Sequence, residues 1–253
     1  LRIEKIRLDE LLLRQGLAPD LQKARSLILS GSVLLNDVVV DKVGVLYPIN
    51  SNVRIRAKIG EYVSRGAYKL KPILEKWNIP VEGKVCLDIG ASTGGFTQVL
   101  LEKKAKMVFA IDVGYGLLAG KLRNDSRVKV VDRFHIKNLS PKILEEPVSE
   151  LFFTIDLSFI SLKNVFPHIL RLQQTMGIGM EGLSLLKPQF EADSSDLEKG
   201  ILKNKQIQFS ICKDMLRYLK KDFILKGFTK SPITGADGNE EFFIYWKLST
   251  DSG

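Results

Sequence analysis

The sequence predicts an α/β chain in two parts: a small α+β module at the front and, behind it, a doubly wound sheet of seven strands, one of them antiparallel. Three observations carry this. Beyond Tyr62 short apolar runs alternate with helical stretches, as in parallel strands joined by crossover helices. The last two runs, Phe223–Phe228 and Phe242–Lys247, are separated only by a loop rich in Gly, Pro and Asn, which makes a hairpin and so an antiparallel strand. The stretch from Ile6 to about Arg56 has its own rhythm of two short helices and brief β-like pieces. A length of 253 residues accommodates both parts, and the expected division is 1–60 and 61–253.

In the front module, leucines 8, 11 and 12 share one face of a short helix that Gly16 can stop. Asp20 is placed to cap a second helix, with Leu21, Ala24, Leu27 and Ile28 at helical spacing and Gly31 as its terminator. Ser32–Leu35 and Val38–Val40, joined by Asn36-Asp37, and Val53–Arg56 read as strands. In the second part the expected strands are Lys84–Leu87, Met107–Ile111, Val128–Val131, Leu151–Ile155 and Leu183–Leu186, followed by the two of the hairpin.

Hydrophobic residues make up 45% of the chain and charged residues 26%, enough to bury a core, which excludes a disordered tail. The net charge of +9 favours a polyanionic partner, nucleic acid before an anionic membrane surface. The longest apolar run, Leu151–Leu162, contains Asp156 and two serines and falls short of the roughly 18 to 20 apolar residues of a membrane span. The first residues alternate charged and apolar side chains, unlike a signal peptide. We therefore expect a protein that is neither inserted nor exported, and a cytoplasmic location. The chain starts at Leu1 without an initiator Met, so a few terminal residues are expected to be missing. Cys86 and Cys212 are the two cysteines, and with His135 and His168 they have no ligand spacing, so neither a disulfide framework nor a metal site is expected.

Function is most legible in the loop Asp88-Ile89-Gly90-Ala91-Ser92-Thr93-Gly94-Gly95-Phe96-Thr97, which leaves a strand and opens a helix. Its glycines let the backbone turn tightly and approach a ligand at the C-terminal edge of the sheet. The spacing is neither that of the dinucleotide fingerprint nor that of a phosphate loop. Asp112 closes the next strand, placed for both hydroxyls of an unphosphorylated adenosine ribose, which S-adenosylmethionine (SAM) and NAD share. Asp88 leans the choice to SAM, whose ammonium wants a carboxylate, and Asp132, at the tip of the third strand, joins the candidate cofactor set. Asp156 and Lys187 each close an apolar strand, so a parallel sheet delivers both to the same rim. Cations cluster at the front as well: Arg7, Lys23, Arg25, Arg54, Arg56 and Lys58, with Arg65 just beyond, form the phosphate-contacting footprint of an RNA binder.

Two resemblances follow. Arg7-Leu8-Asp9, Gly16-Leu17, Ala24, Leu27-Ile28, Gly31, Val33 and Asn36 resemble the small RNA-binding domain of the fourth protein of the small ribosomal subunit, with Gln22-Lys23 where that family usually has Ser-Arg. Lys69, Asp156, Lys187 and Glu241, in this order, resemble the catalytic Lys-Asp-Lys-Glu tetrad of the FtsJ-type ribose 2′-O-methyltransferases. Together with the glycine loop, the Lys187-Pro188-Gln189-Phe190-Glu191 segment and the front module, they identify the chain as a member of the TlyA family, the hemolysin A-like ribosomal RNA methyltransferases. Departures are Ala67 for a second glycine, Phe134-His135 for a usual Thr-Asn, and a Lys199-Gly200-Ile201 turn one glycine short. The resemblance implies a SAM-methyltransferase fold and methyl transfer from SAM to a ribose hydroxyl of ribosomal RNA, free or in ribosomal subunits. Lysine serves as base only with its pKa drawn toward neutrality, which Lys69 would favour for Lys187 and the two carboxylates would oppose. Two other readings stand beside this one. An RNA-binding module without catalysis is opposed by the intact tetrad and loop, and a membrane-lysing protein would need an insertion segment better than ordinary core helices.

Overall fold

The structure is a computed structural model that describes residues 4–29, 32–35, 38–40, 42–55, 62–235 and 238–248. It divides into two compact units, Leu1–Tyr62 and Val63–Gly253. Arg56 and Lys58, Gly31 and the Asn36-Asp37 turn lie outside the described residues.

In the first unit, helices α1 (Leu8–Arg14) and α2 (Leu21–Leu29) pack as their leucine spacing requires, with Leu8, Leu11, Leu12, Ala24, Ile28, Val33 and Val53 closing the core. Asp20 Oδ1 accepts from the Lys23 N–H at 2.7 Å, the expected cap of α2. Two strands were not legible in the sequence: β1 (Lys5–Arg7) pairs antiparallel with β4 (Leu46–Pro48), Ile6 facing Tyr47. Three residues each, one of them proline, are too few to show an alternation. A second sheet has the order β3-β2-β5, from β2 (Val33–Leu35), β3 (Val38–Val40) and β5 (Val53–Ile55).

The second unit opens with α3 (Gly66–Lys76) and is built on β6 (Val85–Ile89), β7 (Met107–Ile111), β8 (Val128–Val131), β9 (Glu150–Ile155), β10 (Gly179–Leu186), β11 (Ile224–Lys230) and β12 (Phe242–Leu248). Their order is β11-β12-β10-β9-β6-β7-β8, with β12 antiparallel to both neighbours and the other pairings parallel. The chain winds outward from β6 through α4 (Gly95–Glu102), β7, α5 (Gly120–Arg123) and β8, then returns to lay β9 on the other side of β6. Helices α6 (Phe166–Met176) and α7 (Lys205–Leu219) follow β9 and β10.

Strand β12 shows why both faces are covered. Phe243 stacks on Phe96 of α4 and Tyr245 on Trp77 just after α3, while Trp246 packs edge-on against Phe166 of α6 and Phe223. Alternate residues thus face opposite layers, as the two-residue period of a strand dictates. Trp246 is fully buried and its indole N–H donates to Ser184 Oγ at 2.8 Å. Strand β10 is longer than the apolar run Leu183–Leu186 suggests, because Gly179, Glu181 and Gly182 break the run without breaking the ladder. Gly182 is needed there: a Cβ would stand 2.6 Å from the Phe153 carbonyl oxygen and 2.8 Å from the Trp246 ring. Replacing Trp246 by Ala should cost about 3 to 5 kcal/mol through the cavity it leaves, read as a lower urea midpoint.

Candidate active site at the strand tips

Strands β6 and β9 are neighbours from which the chain departs in opposite directions, so a crevice opens at their C-terminal ends. The glycine loop fills one side of it. Gly90 has φ +85° and lies so close to β9 that a Cβ would stand 2.3 Å from the Asp156 carbonyl oxygen. Gly95, opening α4, faces Ser64 and Ala67, where a Cβ would meet Ser64 Oγ at 2.2 Å. A cavity of about 170 Å³ remains between loop and helix α3, lined by Arg65, Lys69, Gly90, Ser92, Thr93 and Asp156 among others.

The loop residues divide into two levels. Ser92 and Thr93 are exposed at the lip, whereas Gly94, Gly95, Phe96 and Thr97 are buried behind it. Asp88 lies deepest: it is fully buried, Oδ2 accepting from Thr97 Oγ1 at 2.6 Å and Oδ1 from Thr154 Oγ1 at 2.8 Å. It therefore ties α4 and β9 to β6 from beneath the loop. Asp112, half-buried after β7, accepts from the N–H groups of Ser92 at 2.8 Å and Gly114 at 2.7 Å. Each oxygen keeps acceptor capacity for a further donor. Asp132 after β8 accepts from the Gly116 N–H at 3.0 Å and faces Arg123 at 3.5 Å.

On the other side of the crevice four charged side chains form a line of alternating sign. Glu241 Oε2 meets Lys69 Nζ at 2.7 Å, Lys69 stands 3.9 Å from Asp156 Oδ2, and Asp156 Oδ1 meets Lys187 Nζ at 2.6 Å. Lys69, Lys187 and Glu241 are buried and Asp156 retains 20% of its side-chain exposure. Burial of such groups is tolerable only because each is paired with the opposite charge. Lys187 Nζ also donates to Ser158 Oγ at 3.0 Å.

Residues 62–248 match the FtsJ-like methyltransferase family. The chain belongs to that family. Residues 6–51 match the S4 domain. The relative "16S/23S rRNA (cytidine-2′-O)-methyltransferase TlyA" of Mycobacterium tuberculosis is 36% identical, the match covering 98% of this chain and 91% of that one. "Hemolysin A" of Brachyspira hyodysenteriae is 36% identical over 95% of this chain and 99% of its own. A solved structure of a candidate hemolysin from Streptococcus thermophilus superposes with a TM-score of 0.73 at 33% identity, covering 98% of this chain and 90% of that one. Membership in an FtsJ-like methyltransferase family implies SAM as the methyl donor. No helix among the described residues is long and apolar enough to cross a membrane.

The cations read from the sequence are differently disposed. Arg7 and Arg25 converge on buried Asp9, at 2.8 and 2.9 Å, so part of their donor capacity holds the S4 unit together. Burial alone would raise the Asp9 carboxyl, but the two guanidinium groups hold it below the usual range. Lys23 and Arg54 are exposed on the S4 unit. Arg65 belongs to the FtsJ-like unit, lines the cavity and donates to the Thr234 carbonyl.

Sequence reasoning singled out neither Ser158 nor Phe159 as a site residue. Phe159 is 90% exposed, has φ +63° and leans on Phe190 at 5.0 Å, next to the Asp156–Lys187 pair. A phenylalanine three residues past a strand-tip aspartate carries no sequence sign of facing solvent, and only its exposure marks it.

The Asp88 carboxyl is pushed up to about 6, first by burial and further by the Asp156 charge, with the two threonine hydroxyls pulling it back. The folded chain thus holds this proton more tightly than the unfolded one. Its contribution to stability is complete below about pH 4 and is lost as pH rises through about 6. Asp88→Asn removes this dependence, so urea unfolding from about pH 4 to about pH 8 should move in the variant's favour by roughly 3 kcal/mol relative to the parent.

Proposed function

We propose that the chain is a SAM-dependent ribosomal RNA ribose 2′-O-methyltransferase working in the cytoplasm, with an S4 unit at residues 1–60 that holds RNA and a catalytic unit at 61–253. The observation that carries this reading is the Glu241–Lys69–Asp156–Lys187 line at the rim of the glycine-loop cavity. The curated TlyA relative, which this chain matches almost end to end, supports the substrate class.

The crevice suits the cofactor. The cavity is bordered by small residues and loop N–H groups, and Asp112 offers two carboxylate oxygens to ribose hydroxyls. Gly90, Ser92, Thr93, Gly94 and Gly95 would hold the methionine end, with Asp88, Phe96 and Thr97 bracing the loop and Asp132 beside the adenosine. SAM supplies a methyl group on a sulfonium. The residues of the chain bring a ribose hydroxyl into line with it, and that alignment provides much of the rate. Lys187 is the base: it takes the hydroxyl proton on Nζ, and the Asp156 carboxylate holds the resulting ammonium. Lys69, locked between Glu241 and Asp156, keeps Asp156 aimed. The exposed Phe159 ring offers a face for an unstacked base, which single-stranded RNA recognition commonly uses. Lys23, Arg54 and Arg56, with the free donors of Arg7 and Arg25, contact phosphates and carry little sequence information. Arg65 meets RNA at the mouth of the site.

Transfer of labelled methyl from SAM to ribosomal subunits tests the whole reading, and absence of incorporation into any ribosomal RNA would overturn it. Lys187→Ala should reduce single-turnover transfer by at least about a thousandfold while SAM affinity stays within a few-fold, because the lysine acts in the transition state. Lys23→Ala should weaken RNA binding evenly across sequences and lower the slope of log K against log salt by about one.

A further inference from the structure

Two segments carry the Asp156–Lys187 pair: the loop after β9, from Asp156 to Leu162, and the turn after β10, from Lys187 to Ala192. Neither is regular strand or long helix, so something must fix one against the other to the few tenths of an ångström that a reacting pair requires. The second segment carries Glu191, whose carboxylate spans the gap. Oε2 accepts from Ser161 Oγ at 2.5 Å and Oε1 from the Leu162 N–H at 2.7 Å. Ser161 Oγ accepts in turn from the Lys163 N–H at 3.1 Å, capping the short turn Leu162–Asn164. Phe159 on Phe190 and Lys187 on Ser158 lie between this clasp and the ion pair.

We propose that Glu191 is a positioning residue for methyl transfer. Its two-oxygen clasp sets the β9 loop against the β10 turn, fixing Asp156 and Ser158 on Lys187 and holding Phe159 at the mouth. It touches neither cofactor nor substrate. The inference rests on the function proposed above for the Lys187 site. It has a specific logic: a carboxylate can accept two donors side by side, whereas a single hydroxyl or amide in its place could not hold both Ser161 and the Leu162 backbone in the same polarity. The glycine loop, Asp112 and Asp132 are on other strands, so the clasp should govern the reacting groups without governing cofactor affinity.

The test uses the full chain with Glu191→Ala, Glu191→Gln, Ser161→Ala and the double variant Ser161→Ala/Glu191→Ala. Expected are a single-turnover rate roughly 10- to 100-fold lower for Glu191→Ala, as for other ångström-scale misplacements, and SAM affinity within about twofold of the parent. Glu191→Gln, whose single carbonyl oxygen can keep only one of the two donors, should fall between Glu191→Ala and the parent. The double variant should be no slower than Glu191→Ala alone, since both changes open one clasp. Hydrogen exchange, which needs no RNA, should show faster exchange across 156–163 in Glu191→Ala with β6 unchanged. A parental rate in Glu191→Ala, additive losses in the double variant, or equal loss of SAM binding and rate would overturn the clasp. A parent that exchanges as expected but methylates no ribosomal RNA would sink the function and leave the clasp standing; if Glu191→Ala fails to fold, Ser161→Ala decides by the same rate and exchange readings.

Discussion

Everything at the strand tips depends on how closely β6 and β9 approach where the chain reverses its winding. The Asp156 N–H donates to the Ile89 carbonyl at 3.0 Å, extending the ladder one step past the end of β9. This extra step leaves no room for a side chain at position 90, and the φ of +85° there would strain one in any case. Gly90 is thus required twice, for its conformation and for its absence of bulk. Once it is in place, the glycine loop and Asp156 form one wall, and the cavity has the loop on one side and the ion-pair line on the other.

The unit then faces the cost of keeping several charges out of water, and it meets that cost in two ways. Asp88 has only dipoles as hydrogen-bond partners, two threonine hydroxyls and the Thr97 backbone, so burial wins and its carboxyl rises to about 6. Asp9 in the S4 unit, equally buried, has two guanidinium groups, and its carboxyl is lowered. Full charges as partners outweigh burial at Asp9, whereas dipoles do not outweigh it at Asp88, which also feels the Asp156 charge. In the tetrad, too, each carboxylate faces a basic side chain, acidic and basic groups alternating along the line.

Most of the sheet was legible in the sequence, and Asp156 and Lys187 with it, because apolar strands closed by a charge announce themselves where the sheet is parallel; Lys69, on a helix, and Glu241, before the antiparallel strand, came only from the resemblance to the FtsJ-type tetrad. What was hidden had physical causes. Strand β10 was half seen since its Gly182 serves a tight approach to Phe153 and Trp246, not a turn. The β1–β4 pair is too short for a periodic signal. Arg7 and Arg25 looked like free cations because a sequence cannot show that Asp9, on the first helix, gathers both its near neighbour Arg7 and Arg25 of the second helix. Asp88 looked like a ligand-facing carboxylate, since its strand position is that of a rim residue, yet both oxygens turn inward to threonines.

The rim divides along the seam between β6 and β9. On the β6–β7–β8 side stand the loop and the aspartates after β7 and β8, fixed by backbone N–H groups. On the β9–β10–β12 side stand Asp156, Lys187 and Glu241, each just beyond the end of a strand or before its start. Lys69 alone comes from a helix, and α3 is wedged at its first turn against Gly95 of the loop, so a movement of the loop would be felt at the Lys69–Glu241 pair. That linkage has a chemical consequence. In-line transfer needs donor and acceptor to be fixed relative to each other more than either needs to be fixed to the protein, and a group anchored to both halves of the rim supplies that restraint. Asp156 has the same property, being bonded through its backbone to β6 and through its carboxylate to Lys187 and Lys69. The two residues that span the seam are therefore the ones whose replacement should disturb alignment even where charge is conserved.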